Sequence, residues 1–465
     1  MKLFGKKSSI DMLNGPFFKK LLLFAVPVML TGFLQLLYNS ADLIVVGRFS
    51  PVGTIAQGAI SSTSSLIHLI INVSMGLAVG INVAVAKNLG AKSHKTVSEV
   101  VHTAVALSLI VGIAVGAFGF FLSRTFLEWM NADPDIIDLS TIYLKIYFIG
   151  TPFNLLYNFG AAILRAKGET QKPLIYLAVS GLINIILNLF FVLVLKMNVD
   201  GVAIATIASQ AVSAILVVIE LIRADGCCHL DIKKIRVHKM PLIEIVKFGV
   251  PAGIQGSMFS VSNVIIQSSI NSFGEMIVTA NGNASSIEAF LNVAVDCVYQ
   301  AALSFIGQNY GANNKENIQK IMRTSFYMMT GICFIVSAFT ILGRTFLLSI
   351  YSDNAEVIKN GETRILINCA TYFIYGWMQL FVGFMRGLGH GVLPVLVSIL
   401  GICVFRIFWM LVIYPPFAGN IVMVYLSYPI SWVLTALAHF ICVMAVKKRS
   451  YAQMQKEFED RKLVA

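Results

Sequence analysis

The sequence predicts an all-α polytopic membrane protein, with twelve transmembrane helices in two six-helix lobes related by a parallel repeat. Three observations carry that expectation. Of 465 residues, 57% are hydrophobic and only 12% charged, with a mean hydropathy of +0.79. Soluble domains carry about 25% charged residues, so a chain of this length lacks the charge to clothe a water-facing surface. Apolar runs long enough to cross about 30 Å of hydrocarbon recur along the chain, and short motifs recur in the same order at nearly constant spacing.

Taken in order, spans are expected near 17–47, 52–86, 97–123, 139–164, 173–195 and 201–222, then 243–272, 277–307, 318–343, 360–385, 392–414 and 421–446. These divide the chain into a first lobe over 1–222, a basic cytoplasmic linker over 223–242, a second lobe over 243–446 and a cytoplasmic tail over 447–465. The 35 glycines suit helices packed closely in lipid. The basic start, "MKLFGKKSSIDMLNGPFFKK", precedes an apolar run with no small-residue cleavage site, which predicts an uncleaved first helix rather than a signal peptide. With the amino terminus cytoplasmic, the tails, inner loops and adjoining helix ends collect 27 of the 35 Lys and Arg. That asymmetry predicts both termini inside a plasma-membrane protein. The net charge of +12 therefore follows topology and does not point to nucleic acid. The seven cysteines read as free thiols: Cys227 and Cys228 are adjacent, and no spacing suggests zinc.

The repeat is explicit. "FAVP" at 24 returns as "FGVP" at 248, "NLGAK" at 88 as "NYGAN" at 309, "RTFLEWM" at 124 as "RTFLLSI" at 344, and "RAKGETQKP" at 165 as "RGLGHGVLP" at 386. The offsets are 224, 221, 220 and 221. Six spans bring the chain back to its starting side, so both copies enter the membrane in the same sense, an arrangement that lets two lobes rock about a central cavity. In the repeated loop, Arg165 and Arg386 suit the inner ends of their helices, Gly168 and Gly389 let the backbone leave the helix, and Pro173 and Pro394 start the next.

Polar residues in the spans are the candidates for function. A carboxylate at mid-helix costs about 2.5–3.5 kcal/mol on insertion scales and usually faces a cavity or a partner. Asp42 is such a residue, with Gln35, Tyr38 and Asn39 extending a polar stripe along the first span. Asn184 and Asn188 stand one turn apart in the fifth span, and Thr206 begins the sixth. Carboxylate, amide and hydroxyl oxygens are ligands for a hard cation such as Na+. They serve equally well as interhelical hydrogen bonds. Asn154, Tyr157 and Asn158, beside Pro152 in the fourth span, suit a cavity wall. In the second lobe, Gln267 and Asn263 lie in the seventh span, and Glu288 and Asp296 lie two turns apart in the eighth. Asp296 has no acidic counterpart in the first lobe, where Met75 matches it. His68 and His439 read as helix-packing residues, and Lys145 and Arg406 as cations near the interface.

The duplicated layout, "NSADLIVVG", "RAKGETQKP", "INIILNLFF" followed by "VDGVAIAT", and "GQNYGA" at 307–312 together resemble the multidrug and toxic compound extrusion (MATE) family. The similarity runs from about residue 15 to 446 and is nearest the bacterial branch of DinF- and NorM-type proteins. It implies a secondary antiporter that exports organic, mostly cationic amphipathic compounds in exchange for Na+ or H+. It further implies that Asp42 is the coupling carboxylate and that Asn184 and Thr206 are polar ligands of the same ion site. Asn188 departs from the pattern, because many members carry Asp there; a two-carboxylate proton relay is thereby put in doubt. No enzyme activity and no cofactor are expected beyond the transported ion. The expected partners are a small drug or metabolite, Na+ or H+, and the bilayer, with the chain a monomer. A flippase for lipid-linked precursors is the nearest rival. A membrane-embedded acyltransferase is the remote one, since only His94 and Glu99 offer a His/acid pair and nothing reinforces them.

Overall fold

The computed structural model describes residues 9–49, 53–130 and 132–464, without the side chains of Asn39, Arg48, residues 53 and 54, and residues 462–464. Every element is helical: α1 (Phe17–Phe49), α2 (Gly53–Gly90), α3 (His94–Trp129), α4 (Ile137–Ile149), α5 (Thr151–Lys167), α6 (Gln171–Leu189), α7 (Val199–Arg223), α8 (Lys239–Asn271), α9 (Glu275–Gly311), α10 (Lys315–Leu342), α11 (Arg344–Ser349), α12 (Ala355–Ala370), α13 (Tyr372–Gly387), α14 (Leu393–Ser398), α15 (Phe405–Phe408) and α16 (Ile421–Val464). Wider π-helical turns continue α6 over Phe190–Val194 and flank α15 over Ile399–Val404 and Trp409–Ile413.

Among the described residues, nine helices or joined helices are long and apolar enough to cross a membrane. The pair α12–α13, bent by 48°, makes a tenth. The pair α4–α5 and helix α8 cover the two remaining expected spans, so the expected twelve are accounted for. The fourth span is broken at Gly150, where Pro152 begins α5; proline lacks the N–H that would continue the ladder from α4. Helix α16 runs well past the expected end at 446. Its charged tail is rich in helix formers, and Gln453 and Gln455 each donate to a glutamate one turn on, Glu457 and Glu459.

Caps and turns follow the sequence signals. Asn314 and Asn354 accept backbone N–H groups at the starts of α10 and α12. Gly168 and Gly389 sit at φ +92° and +93°, the left-handed conformation that closes the helix before each. Arg386 lies in the last turn of α13, at the helix end where the sequence placed it. It is buried, with Nη1 donating to the Tyr299 hydroxyl at 2.6 Å and Nη2 to Gln255 Oε1 at 2.7 Å.

The chain forms two compact units. Of the described residues, the first holds 9–10, 30–49, 53–89, 93–130 and 132–250; the second holds 11–29, 90–92 and 251–464. Pro27 lies inside α1 and Pro251 inside α8, each within three residues of the point where its helix passes from one unit to the other. The first unit packs Leu77, Ile81, Val101, Phe159, Ile163, Leu221 and Ile245 into one core. A core of the second gathers Ile266, Ile270, Trp409, Met410, Val424 and Tyr425. Large apolar side chains also face outward, among them Leu342 at 84% and Phe121 at 78% exposure. Such a surface is unfavourable in water and unpenalised in lipid.

Candidate functional site

In the first unit, α1, α6 and α7 place four of the predicted residues together. Asp42 is only 5% exposed. Its Oδ1 accepts from Asn188 Nδ2 at 2.6 Å, and its Oδ2 lies 3.0 Å from Thr206 Oγ1. The second N–H of Asn188 goes to Asn184 Oδ1 at 3.0 Å, which is what the one-turn spacing on α6 allows. Asn184 Nδ2 reaches the Thr206 hydroxyl at 3.5 Å. That hydroxyl has a second acceptor one turn back, the Val202 carbonyl at 2.9 Å. It has one proton and two places to put it.

Two features separate this cluster from an ordinary polar core. The hydrogen-bond partners of Asp42, Asn188 and Thr206, are neutral, and among the described residues no Lys or Arg forms an ion pair with it. Asn188 Oδ1 is buried without a hydrogen-bond partner, beside the carboxylate. Carboxylate, amide and hydroxyl oxygens thus converge with one acceptor left over, which fits a small hard cation. Among the described residues no group of three or more His, Cys, Asp or Glu gathers to hold a metal, so the chemistry here belongs to one carboxylate among neutral oxygens.

The stripe on α1 splits. Tyr38 shares a hydrogen bond with the Ser209 hydroxyl, and Ser180 donates to the Ser209 carbonyl at 2.6 Å, extending the polar contact between α1, α6 and α7. Gln35 is half-buried. The side chain of Asn39 lies outside the described residues. On α5, Asn158 donates to Asn154 Oδ1 at 3.1 Å and approaches Ser74 Oγ at 3.4 Å, while the buried Tyr157 donates to the Pro173 carbonyl at 3.2 Å.

The second unit is built differently. Glu288 on α9 is buried and clamped by Arg364 of α12, with Nε on Oε1 at 3.1 Å and Nη2 on Oε2 at 2.7 Å. Asn368 adds a third donor at 2.9 Å. Arg364 also donates to Asn281, which donates to Gln267 at 2.9 Å. Asp296 does not join this cluster: it is exposed and accepts from Gln300. Eight residues at about 100° each leave two side chains about 80° apart around a helix, enough to send them different ways. His439 is fully buried, with Nε2 3.0 Å from Ser398 Oγ, whereas His68 is exposed. Lys145 lies 5.5 Å from the Phe120 ring centroid. Arg406 is buried. The sequence reading missed Arg364, Asn368 and Asn281 as members of a site. A charged residue between apolar stretches was the signal for Arg364.

A duplicated set of membrane-spanning helices, with one isolated carboxylate held among neutral oxygens, defines the class: a polytopic membrane carrier. The MatE family profile matches residues 27–190 and 251–412, so the chain belongs to that family of transporters. It is 28% identical over 312 residues to the probable multidrug resistance protein YpnP of Bacillus subtilis (strain 168), covering 66% of this chain and 68% of that one. It is 23% identical over 384 residues to the multidrug export protein MepA of Staphylococcus aureus, covering 81% and 83%. An outward-facing structure of a multidrug resistance MATE family transporter superposes with a TM-score of 0.86 at 20% identity, over 97% of this chain and 100% of that one. The structural likeness speaks for the fold; the family assignment rests on the sequence profile. These relatives are transporters, not enzymes.

Proposed function

We propose that this chain is a secondary antiporter of the plasma membrane, with both termini cytoplasmic. It exports organic, mostly cationic amphipathic compounds in exchange for Na+ or H+. The observation that carries the reading is Asp42: buried, hydrogen-bonded among the described residues by neutral groups, and next to Asn188 Oδ1, which has no hydrogen-bond partner among them. The names of the relatives, given for multidrug resistance and export, support the cargo class.

The geometry suits either ion. A sodium ion replaces the hydrogen bonds to Asp42 with contacts to its carboxylate, Asn188 Oδ1, Asn184 Oδ1 and Thr206 Oγ1. A proton instead sits on Asp42 Oδ2 and is donated to Thr206 Oγ1, whose own proton turns to the Val202 carbonyl. In both cases the charge at the junction of α1, α6 and α7 is neutralised and their packing changes. Glu288 is poorly suited to this task, because its charge is already met by Arg364. Breaking a buried pair of that kind costs about 3–5 kcal/mol.

The ion drives transport only if its affinity differs between two states. Rocking of the two units supplies those states, and Pro27 and Pro251, at matching positions of the repeat, free the backbone near each crossing. Counterflow in proteoliposomes, with Na+ and pH gradients imposed separately, tests the reading. One of the two gradients is expected to drive uphill movement of a cationic dye. Equal dye movement with and without either gradient would overturn it.

A further inference from the structure

Arg406 occupies a single α-helical turn, α15, set between two π-helical turns. Such widened turns recur at functional sites in helical proteins. Its side chain is 5% exposed. Nε donates to Ser431 Oγ at 3.0 Å and Nη1 to Asn263 Oδ1 at 3.3 Å, and the guanidinium lies 4.4 Å from the Tyr428 ring centroid. The same ring lies 5.4 Å from the guanidinium of Arg364. Tyr428 thus has two guanidiniums around it; Glu288 is already spent on Arg364, and Asp296, which shares Tyr375 as a neighbour with Arg406, accepts from Gln300. Among the described residues no acid forms an ion pair with Arg406.

Among the described residues, a positive charge therefore stands in the second unit with neutral hydrogen-bond partners. A hydroxyl, an amide oxygen and an aromatic face each soften the cost of burying it, but none cancels the charge. Charged groups inside membrane spans mark the paths of ions and substrates. Of its partners, Asn263 is exposed and Tyr428 half-buried.

The internal repeat sharpens the contrast. The offset of 224 that carries Pro27 onto Pro251 carries Asn39 onto Asn263 and Asp42 onto the apolar Ile266. The offset of 221 that carries Arg165 onto Arg386 carries Asn184 onto Phe405, the neighbour of Arg406. Where the first unit holds a negative charge with neutral partners, the second has lost the acid and gained a cation.

We propose that Arg406, with Asn263, Ser431 and Tyr428, forms an anion subsite that takes the carboxylate of an amphipathic organic cargo. The guanidinium offers a planar fork to a carboxylate. The cargo range then includes zwitterionic and acidic amphiphiles as well as cations. This rests on the efflux reading for its role in transport, though not for the binding itself.

The test uses purified full-length protein in detergent and one dye in two forms, tetramethylrhodamine as the free carboxylate and as its methyl ester. Binding is read by fluorescence polarisation. Wild type is expected to bind the acid about tenfold more tightly than the ester, the worth of one charge-assisted hydrogen bond. Arg406→Gln is expected to bring the ratio to about one, and Arg406→Lys to leave an intermediate preference. Size-exclusion chromatography confirms that each variant is folded. A wild-type ratio of one or less overturns the proposal without recourse to any variant, and so does an acid preference that survives Arg406→Gln. Proteoliposome transport separates the two readings. Acid binding without movement of either dye leaves the subsite standing and sinks the efflux reading. Gradient-driven ester export without acid preference does the reverse.

Discussion

Replacing Asp42 by Asn should abolish ion coupling while leaving a folded protein, and the hydrogen-bond geometry says why. Asp42 accepts from Asn188 at 2.6 Å and from Thr206 at 3.0 Å. In the variant the amide oxygen still accepts from Asn188, and the amide nitrogen donates to Thr206 Oγ1. That hydroxyl then gives its proton to the Val202 carbonyl, 2.9 Å away. One of the two amide N–H groups is left without an assigned acceptor, so the variant should lose about 1–3 kcal/mol, the cost of one unsatisfied buried group, and still fold. The site, however, loses its charge and with it the means of discharging on ion binding. A tenfold ion gradient stores about 1.4 kcal/mol and supports about tenfold accumulation of cargo in one-for-one exchange. The assay is dye accumulation in proteoliposomes under such a gradient, alongside thermal melting in detergent. Wild type should accumulate dye against its gradient, and Asp42→Asn should only equilibrate it while still melting cooperatively at a modestly lower temperature. Wild-type accumulation by the variant would refute the reasoning.

Other outcomes follow from the same structure. Arg364→Met strands the buried Glu288 carboxylate and should cost about 3–5 kcal/mol, read as a lowered melting temperature; adding Glu288→Leu should recover most of that loss. Gly168→Ala should destabilise by about 1–2 kcal/mol for its positive φ, and by more than Gly389→Ala, because a methyl at Gly168 would meet the Ile10 carbonyl oxygen at 2.6 Å while Gly389 has only ordinary contacts; paired thermal melts check the order. Burial pushes the Glu169 carboxyl up, but hydrogen bonds and charge from Lys172 and Lys167 outweigh it and hold the group below its ordinary value of 4.5. A depressed carboxylate contributes stability that is present above its unfolded value and lost as pH falls through the folded one. Melting temperature should therefore drop with acidification below about 4.5, with a shallower slope in Glu169→Gln.

Much of the fold was legible because lipid imposes a simple rule on sequence: backbone groups must be satisfied within each span, so spans read as long apolar runs. The repeat showed in loop motifs whose glycines need a left-handed backbone, and Gly168 and Gly389 adopt it. Asp42 stood out because a lone carboxylate is costly there, and Asn184 and Asn188 because their spacing puts both on one face of α6. Pairings across distant helices were not legible. Glu288 meets Arg364 across 76 residues, and no local pattern announces it. Asp296 was placed beside Glu288 by counting turns, but eight residues are not a whole number of turns.

The central claim is that a single buried carboxylate binds the coupling ion and gives it up when cargo binds. Ion release on cargo binding tests it most directly: purified protein loaded with Na+ or protonated at low buffer strength, titrated with a cationic dye, and monitored for free Na+ and for pH. The account predicts release of about one ion per wild-type chain and none from Asp42→Asn. Saturable dye binding by wild type with neither ion released would contradict it.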